Sequence, residues 1–174
     1  MLNILNKNKI NHDLLYNNIL SLTRKKMFYT KLNLEDSFQN RIHLIFIHAS
    51  FLFIKIKSEK NKEIYRDFYQ RLFDNIFKKI ELNMREIGFG DVSVNKNMKF
   101  LVKNFYSILL YCEEYTKRKL NDKKAFFTNL LTHDIHKKDA NFTDLVEYFD
   151  FYQSFCLDLS SDSVLKGDLN FNYK

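Results

Sequence analysis

A chain of 174 residues with no proline and three glycines has few places to turn sharply. Two of those glycines stand one residue apart, in Met84-Arg85-Glu86-Ile87-Gly88-Phe89-Gly90-Asp91-Val92-Ser93-Val94-Asn95-Lys96. Without proline no helix is forced to break from inside. Glycine supplies φ > 0 or a close backbone approach, so both Gly88 and Gly90 are expected to serve one of these needs, and the chain is expected to bend here. The segment joins the two most periodic stretches of the sequence. Upstream, Tyr65, Phe68, Tyr69, Leu72, Phe73, Ile76, Phe77 and Ile80 recur at helical spacing, with Glu63, Arg66, Asp67, Gln70, Arg71 and Asp74 on the other face. Downstream, Met98, Leu101, Val102, Phe105, Ile108, Leu109, Cys112 and Tyr115 form a second stripe over 95–119. The corner therefore sets how a third and a fourth helix meet, and it carries more charge than a turn requires.

The remaining segments also read as helical. Leu15, Ile19 and Leu22 place a first helix over 11–28. Asp36 can cap a second helix running to about residue 57. That stretch is apolar nearly all round, so it belongs at the centre, although its β-branched and aromatic content leaves a strand open. Asn121 or Asp122 can cap a fifth helix ending near His133. Asn141 with Asp144 resembles a capping box for a sixth over 142–159. After Ser160 the chain turns polar, and residues 161–174, like 1–10, are expected to fray. The expected fold is an all-α, single-domain bundle of about six helices spanning 1–174, with a Gly-x-Gly-Asp corner between the third and fourth.

The net charge of +7 and pI near 9.2 favour partners that carry phosphate. The cations are scattered, however, in short clusters at Arg24-Lys25-Lys26, Lys55 to Lys62, Lys117-Arg118-Lys119 and Lys137-Lys138, and none makes a run of five. The chain is rich in Asn, Lys, Ile, Phe and Tyr and poor in Pro, Gly, Ala and Trp, as an AT-biased genome produces, so composition alone carries little about function. Cys112 and Cys156 lie far apart without metal spacing and read as buried thiols in a reducing compartment. No apolar leader is visible, and the most apolar run, Leu44 to Ile54, is short and contains His48 and Ser50. A cytoplasmic location is expected.

No catalytic or metal constellation is complete. The Gly-x-Gly lacks the preceding strand and the third glycine or Gly-Lys-Ser/Thr ending of nucleotide loops. His133, Asp134 and His136 lack the further ligands of a closed metal site. His43 and His48 lie five apart and read as packed core histidines. Glu113-Glu114 point about 100° apart on a helix, and no Gly-x-Ser-x-Gly element occurs. The residues themselves imply no enzyme, no cofactor and no small-molecule substrate. What remains is Arg85, Glu86, Gly88, Gly90, Asp91 and Lys96. They form either an ion-paired corner or a recognition surface on a rigid scaffold.

That segment resembles the signature of the ubiquinol–cytochrome c chaperone family, Leu-Arg-Glu-x-Gly-Val-Gly-Asp-x-x-Val-Pro-Lys. Arg85-Glu86, Gly88, Gly90-Asp91, Val94 and Lys96 match, while Met84, Phe89 and Asn95 replace Leu, Val and Pro. Upstream, Gln70, Leu72-Phe73-Asp74 and Phe77 resemble the family's lead-in helix, and Tyr29, Asp36, Arg41 and His48 stand where it often has these residue types. Downstream, Phe105-Tyr106 and Tyr111 resemble its Phe-Tyr-Gly-Arg-x-x-x-Tyr, with Ser107 and Ile108 in place of Gly and Arg. The similarity covers about 16–133. It implies an all-α assembly factor, not an enzyme, that binds newly made cytochrome b or another membrane-protein client during biogenesis of respiratory complex III. It also implies a small partner protein, the ribosome and peripheral contact with an anionic membrane, on the cytoplasmic face of the inner membrane in a bacterial, α-proteobacterial member. The client- or partner-binding residues would be Arg85, Glu86, Gly88, Gly90, Asp91 and Lys96. The competing class is a basic helical module that binds nucleic acid or the ribosome without a chaperone role.

Overall fold

The computed structural model describes residues 11–58, 62–132 and 142–173. They form helices α1 (His12–Thr23), α2 (Phe38–Lys57), α3 (Lys62–Glu86), α4 (Asp91–Glu113), α5 (Leu120–Leu130), α6 (Phe142–Asp158) and α7 (Ser161–Lys166), with a one-turn helix at Met27–Thr30 and a 3-10 turn at Tyr115–Lys117. The all-α reading is correct.

α2 is the axis. Every residue from Ile42 to Phe53 is buried, and α1, α3, α4, α6 and α7 all pack on it. A helix without a polar face is stable only when enclosed, at about 1.5–3 kcal/mol for each large apolar side chain withdrawn from water. The stripes of α3 and α4 were expected to pair with each other. They do, but α4 makes its more extensive interface with α2. Phe46 and Phe53 of α2 reach Phe105 of α4 at 5.3 and 5.7 Å between ring centroids, and Phe73 and Phe77 of α3 approach Phe105 at 5.6 and 5.9 Å.

The polar groups on α2 are satisfied in place. His48 is fully buried. Its Nδ1 lies 2.7 Å from the Leu44 carbonyl, which can only accept, so Nδ1 carries the proton. Nε2 therefore accepts from the Tyr148 hydroxyl at 2.8 Å. Burial pushes the imidazole pKa down to about 4. Asn40, also fully buried, donates to the carbonyls of Glu35 and Thr132 and accepts from the Thr132 amide, which ties the chain after α5 to the loop before α2. Lys123 sits over the Tyr115 ring and reaches Asp150 at 2.6 Å, so a nearly buried ammonium is paired.

Helix ends differ from expectation at four helices, the first being α1, which stops at Thr23 rather than running to 28. Ser37 caps α2 by accepting from the Asn40 amide, while Asp36 turns to Arg41. α4 starts earlier, at Asp91, and stops at Glu113. α5 starts after Lys119 rather than after Asn121 or Asp122. The expected Asn141 cap, and His133, Asp134 and His136, lie outside the described residues, as do residues 1–10.

The tail departs most from the sequence reading. Residues 161–173 do not fray. Ser160 caps α7 through the Ser163 amide. Gly167, at φ +85°, ends it, with Gly167 N–H donating to Val164 O (3.0 Å) and Asp168 N–H to Ser163 O (2.9 Å). The Gly167 carbonyl accepts from Asn18 of α1 at 2.7 Å. Leu169 and Phe171 then bury themselves, Phe171 between Tyr152 and Phe155 at 5.0 Å from each.

Candidate functional site at the corner between α3 and α4

α3 ends because Gly88 takes a conformation that other residues resist, φ +97°. Gly88 N–H donates to Arg85 O and Phe89 N–H to Met84 O, both at 3.0 Å. This Schellman closure satisfies two of the last carbonyls of the helix. Gly90 is different. Its φ of −72° and ψ of 160° are ordinary extended backbone, and it stands at the N-cap of α4. A Cβ at either glycine would meet nothing within 4 Å. Positive φ therefore accounts for Gly88 alone, and a close backbone approach accounts for neither.

The charged residues divide into two sets. Arg85, in the last turn of α3, contacts Asp91 in the first turn of α4 through Nη1, and it reaches Glu81 through Nε and Nη2 at 3.1 and 2.9 Å. Asp91 is well placed for the N-terminal end of the α4 dipole. Its carboxylate first, then that of Glu81, raises the Arg85 pKa. The group is exposed and screened by water, so it braces the corner without locking it. Glu86 and Lys96 stand exposed and join no ion pair among the described residues.

Apolar side chains surround these charges on the outside. Ile87 is 59% exposed, Phe89 38% and Val92 84%, while Met84 and Val94 beneath them are buried. The outer face of α4 continues with Lys96, Lys99, Phe100, Lys103, Tyr106 and Leu110, and no acid falls between Asp91 and Glu113. The corner offers an exposed apolar ridge, and clefts open toward the far end of α4. One of about 470 Å³ lies between α4 and α5, against Ile108, Tyr111, Phe126 and Leu130.

The residues outside the corner that carried the family resemblance assemble elsewhere. Asp36 and Arg41 form a two-bond pair at 2.7 and 3.0 Å, Arg41 stacks 5.7 Å over the Tyr29 ring, and Tyr29 donates to Thr23 O. The Arg41 guanidinium holds the Asp36 carboxyl below the usual range. Tyr111 lies flat on Phe126 at 3.8 Å, with Arg118 4.1 Å over its ring. Asn40 had not been singled out. An amide at the start of an apolar helix was the one signal available.

Among the described residues no group of three or more His, Cys, Asp or Glu gathers as a metal site, and no helix is long and apolar enough to cross a membrane. Cys112 and Cys156 are free and buried, and burial pushes the Cys156 thiol up to about 12.

The sequence profile of the family described as Ubiquinol-cytochrome C chaperone matches residues 30–171. The crystal structure of the Cbp3 homolog from Brucella abortus superposes with a TM-score of 0.77 at 23% identity, over 99% of this chain and 97% of that one. At that identity the likeness establishes the fold. No curated protein matches the sequence.

Proposed function

This chain belongs to the ubiquinol–cytochrome c chaperone family, and from that premise we propose that its α3–α4 corner holds a hydrophobic client, cytochrome b, while respiratory complex III is assembled. The protein is an assembly factor for that complex, and its contribution is binding without turnover. The observation that carries the proposal is the exposure of Ile87, Phe89 and Val92 around the Arg85–Asp91 pair, on a loop whose shape Gly88 sets. A ridge of apolar side chains between charges suits a membrane helix before insertion. The apolar positions cover its side chains, and Glu86 and Lys96 remain for polar groups at its ends. A small partner protein, the ribosome and anionic lipid on the cytoplasmic face of the inner membrane are the further contacts this reading implies. A nucleic-acid module would gather cations on one face. On α4 the exposed Lys96, Lys99 and Lys103 are interleaved with exposed Val92, Phe100 and Leu110, which favours a client with apolar surface.

The test compares melting temperature with cytochrome b co-purified from the native host, for Val92→Asp, Asp91→Ala and Lys96→Ala. All three residues are exposed, so melting should stay close to wild type while capture is lost. Variants that melt normally and still capture cytochrome b would remove the corner from the binding surface. A fall in capture that tracks a fall in melting temperature would leave the corner a structural brace only.

A further inference from the structure

At the opposite end of α3 and α4, more than about 20 Å along the helices from the corner, a second kind of surface opens. A cleft of about 680 Å³ is walled by Lys57 from the end of α2, by Lys62, Tyr65, Arg66 and Tyr69 from α3, and by Tyr106 from α4. Among the described residues no carboxylate lines it. The described acids on the flanking helices are engaged: Glu113 by Lys57 at 2.6 Å, Asp67 by Arg71 at 2.9 Å, Asp74 by the Gln70 amide at 2.9 and 2.8 Å, and Glu63 in an interaction of its own. Lys62 and Arg66 are exposed and form no ion pair among the described residues. The cleft thus keeps two unneutralised cations.

Its aromatic walls offer hydroxyls more than ring faces. Tyr69 is flanked by Phe53 at 4.8 Å and stacked on Phe73 at 5.8 Å, and Tyr65 leans on Tyr69 at 6.0 Å. The Tyr69 hydroxyl is buried without a hydrogen-bond partner of good geometry among the described residues. Burial, and the Tyr106 phenol facing it, raise its pKa, so it stays a neutral donor. A buried hydroxyl faced only by another phenol, without a well-formed hydrogen bond, can turn its proton to an incoming acceptor, and a guanidinium beside an ammonium suits an oxyanion with several acceptor oxygens. Covered ring faces leave Tyr69 no platform for a nucleobase.

We propose that this cleft binds a phosphate-bearing ligand, gripped by Lys62 and Arg66 with the Tyr69 hydroxyl as a neutral donor at its floor. The site is independent of the corner and of the client. The chemistry is shared by an anionic phospholipid headgroup and a soluble phosphate ester, and the cleft has room for more than the phosphoryl group.

The experiment uses the full chain. Inorganic phosphate is titrated calorimetrically. In parallel, the protein is floated with phosphatidylglycerol vesicles and with phosphatidylcholine vesicles, whose phosphate is balanced by choline. Lys62→Gln/Arg66→Gln should weaken binding at least about tenfold, and Tyr69→Phe less. Lys26→Gln/Lys31→Gln removes the same charge elsewhere on the surface and should change nothing. Phosphate binding without vesicle binding assigns a soluble ester. Selective flotation with phosphatidylglycerol, abolished by the cleft variant, assigns a lipid headgroup. Absence of binding to every probe overturns the proposal, and so does an equal loss in the Lys26/Lys31 control. A short single-stranded RNA held by Lys62 and Arg66, and not displaced by inorganic phosphate, would overturn it in favour of nucleic acid.

Discussion

Gly88 and Gly167 end their helices with the same pair of hydrogen bonds and the same left-handed turn, yet their surroundings are opposite. At Gly88 a Cβ would meet nothing within 4 Å. At Gly167 it would meet Asn11 O and Leu15 N of the α1 backbone, each at 2.9 Å. The seam around Gly167 joins a buried knot in which Phe171 packs on Tyr152, and Tyr148 and Tyr152 flank His48. The corner around Gly88 is open on its outer face, above buried Met84 and Val94. One motif closes a core in one place and shapes a surface in the other. Space around a residue, more than its conformation, marks where a chain keeps freedom for recognition.

The largest effect that would break this comparison is at the seam. Gly167→Ala should cost about 2–5 kcal/mol, from the left-handed conformation and from backbone that cannot yield. Denaturant unfolding measures it, and a cost below about 1 kcal/mol would mean that α7 is loosely attached. The second effect is the pH response of the knot. His48 is neutral in the folded state with a pKa near 4, and unfolded histidine titrates near 6.5. Below about pH 6.5 the unfolded chain binds the extra proton, so this stabilisation is present above that pH and is lost as pH falls toward 4, by about 3 kcal/mol in all. Urea unfolding across pH 7 to 4 should show the slope, and His48→Gln, which does not titrate, should flatten it. A slope that persists unchanged in His48→Gln would assign it to other groups.

The smallest effects sharpen the corner side. Gly88→Ala should cost about 1–2 kcal/mol, the conformational term without a clash. Gly90→Ala should cost less than about 1 kcal/mol, because its φ is ordinary and its surroundings are open. The two variants side by side, read by thermal melting, decide whether positive φ or mere glycine content matters here. Equal losses would mean that Gly90 has a role its backbone angles do not reveal.

How much of this was legible in the sequence depended on periodicity. Phe68, Leu72, Ile76 and Ile80 repeat on one face of α3, and all four are buried. α2 was read as central because it lacks a polar face, which is how it packs. The tail was misread because Val164, Leu169 and Phe171 are too sparse to form a stripe, and what buries them is tertiary: α7 packs on α1 and α2, over a hundred residues away, and Phe171 on the rings of α6. Gly167 was itself a readable C-terminal signal, one residue beyond a six-residue helix. At the corner, the charged residues were found by type and position. That Arg85 folds back onto Asp91 while Glu86 and Lys96 stand apart depends on the angle between two helices, which no local pattern encodes. The cleft beside Lys62 and Arg66 was invisible for the same reason, since three helices contribute its walls.

The enclosure of α2 has a consequence during synthesis. Of the helices that cover it, α3, α4, α6 and α7 are all made later. Until they follow, α1 alone can cover the apolar surface of α2, and that cover stays incomplete until α6 and α7 are made. Its closure needs contacts distant in sequence, which form slowly and leave the nascent chain open to aggregation. Pulse-labelled hydrogen exchange should find α2 amides protected no earlier than those of α6. Until α6 and α7 dock, the chain exposes a hydrophobic segment of the kind that an assembly factor exists to shield.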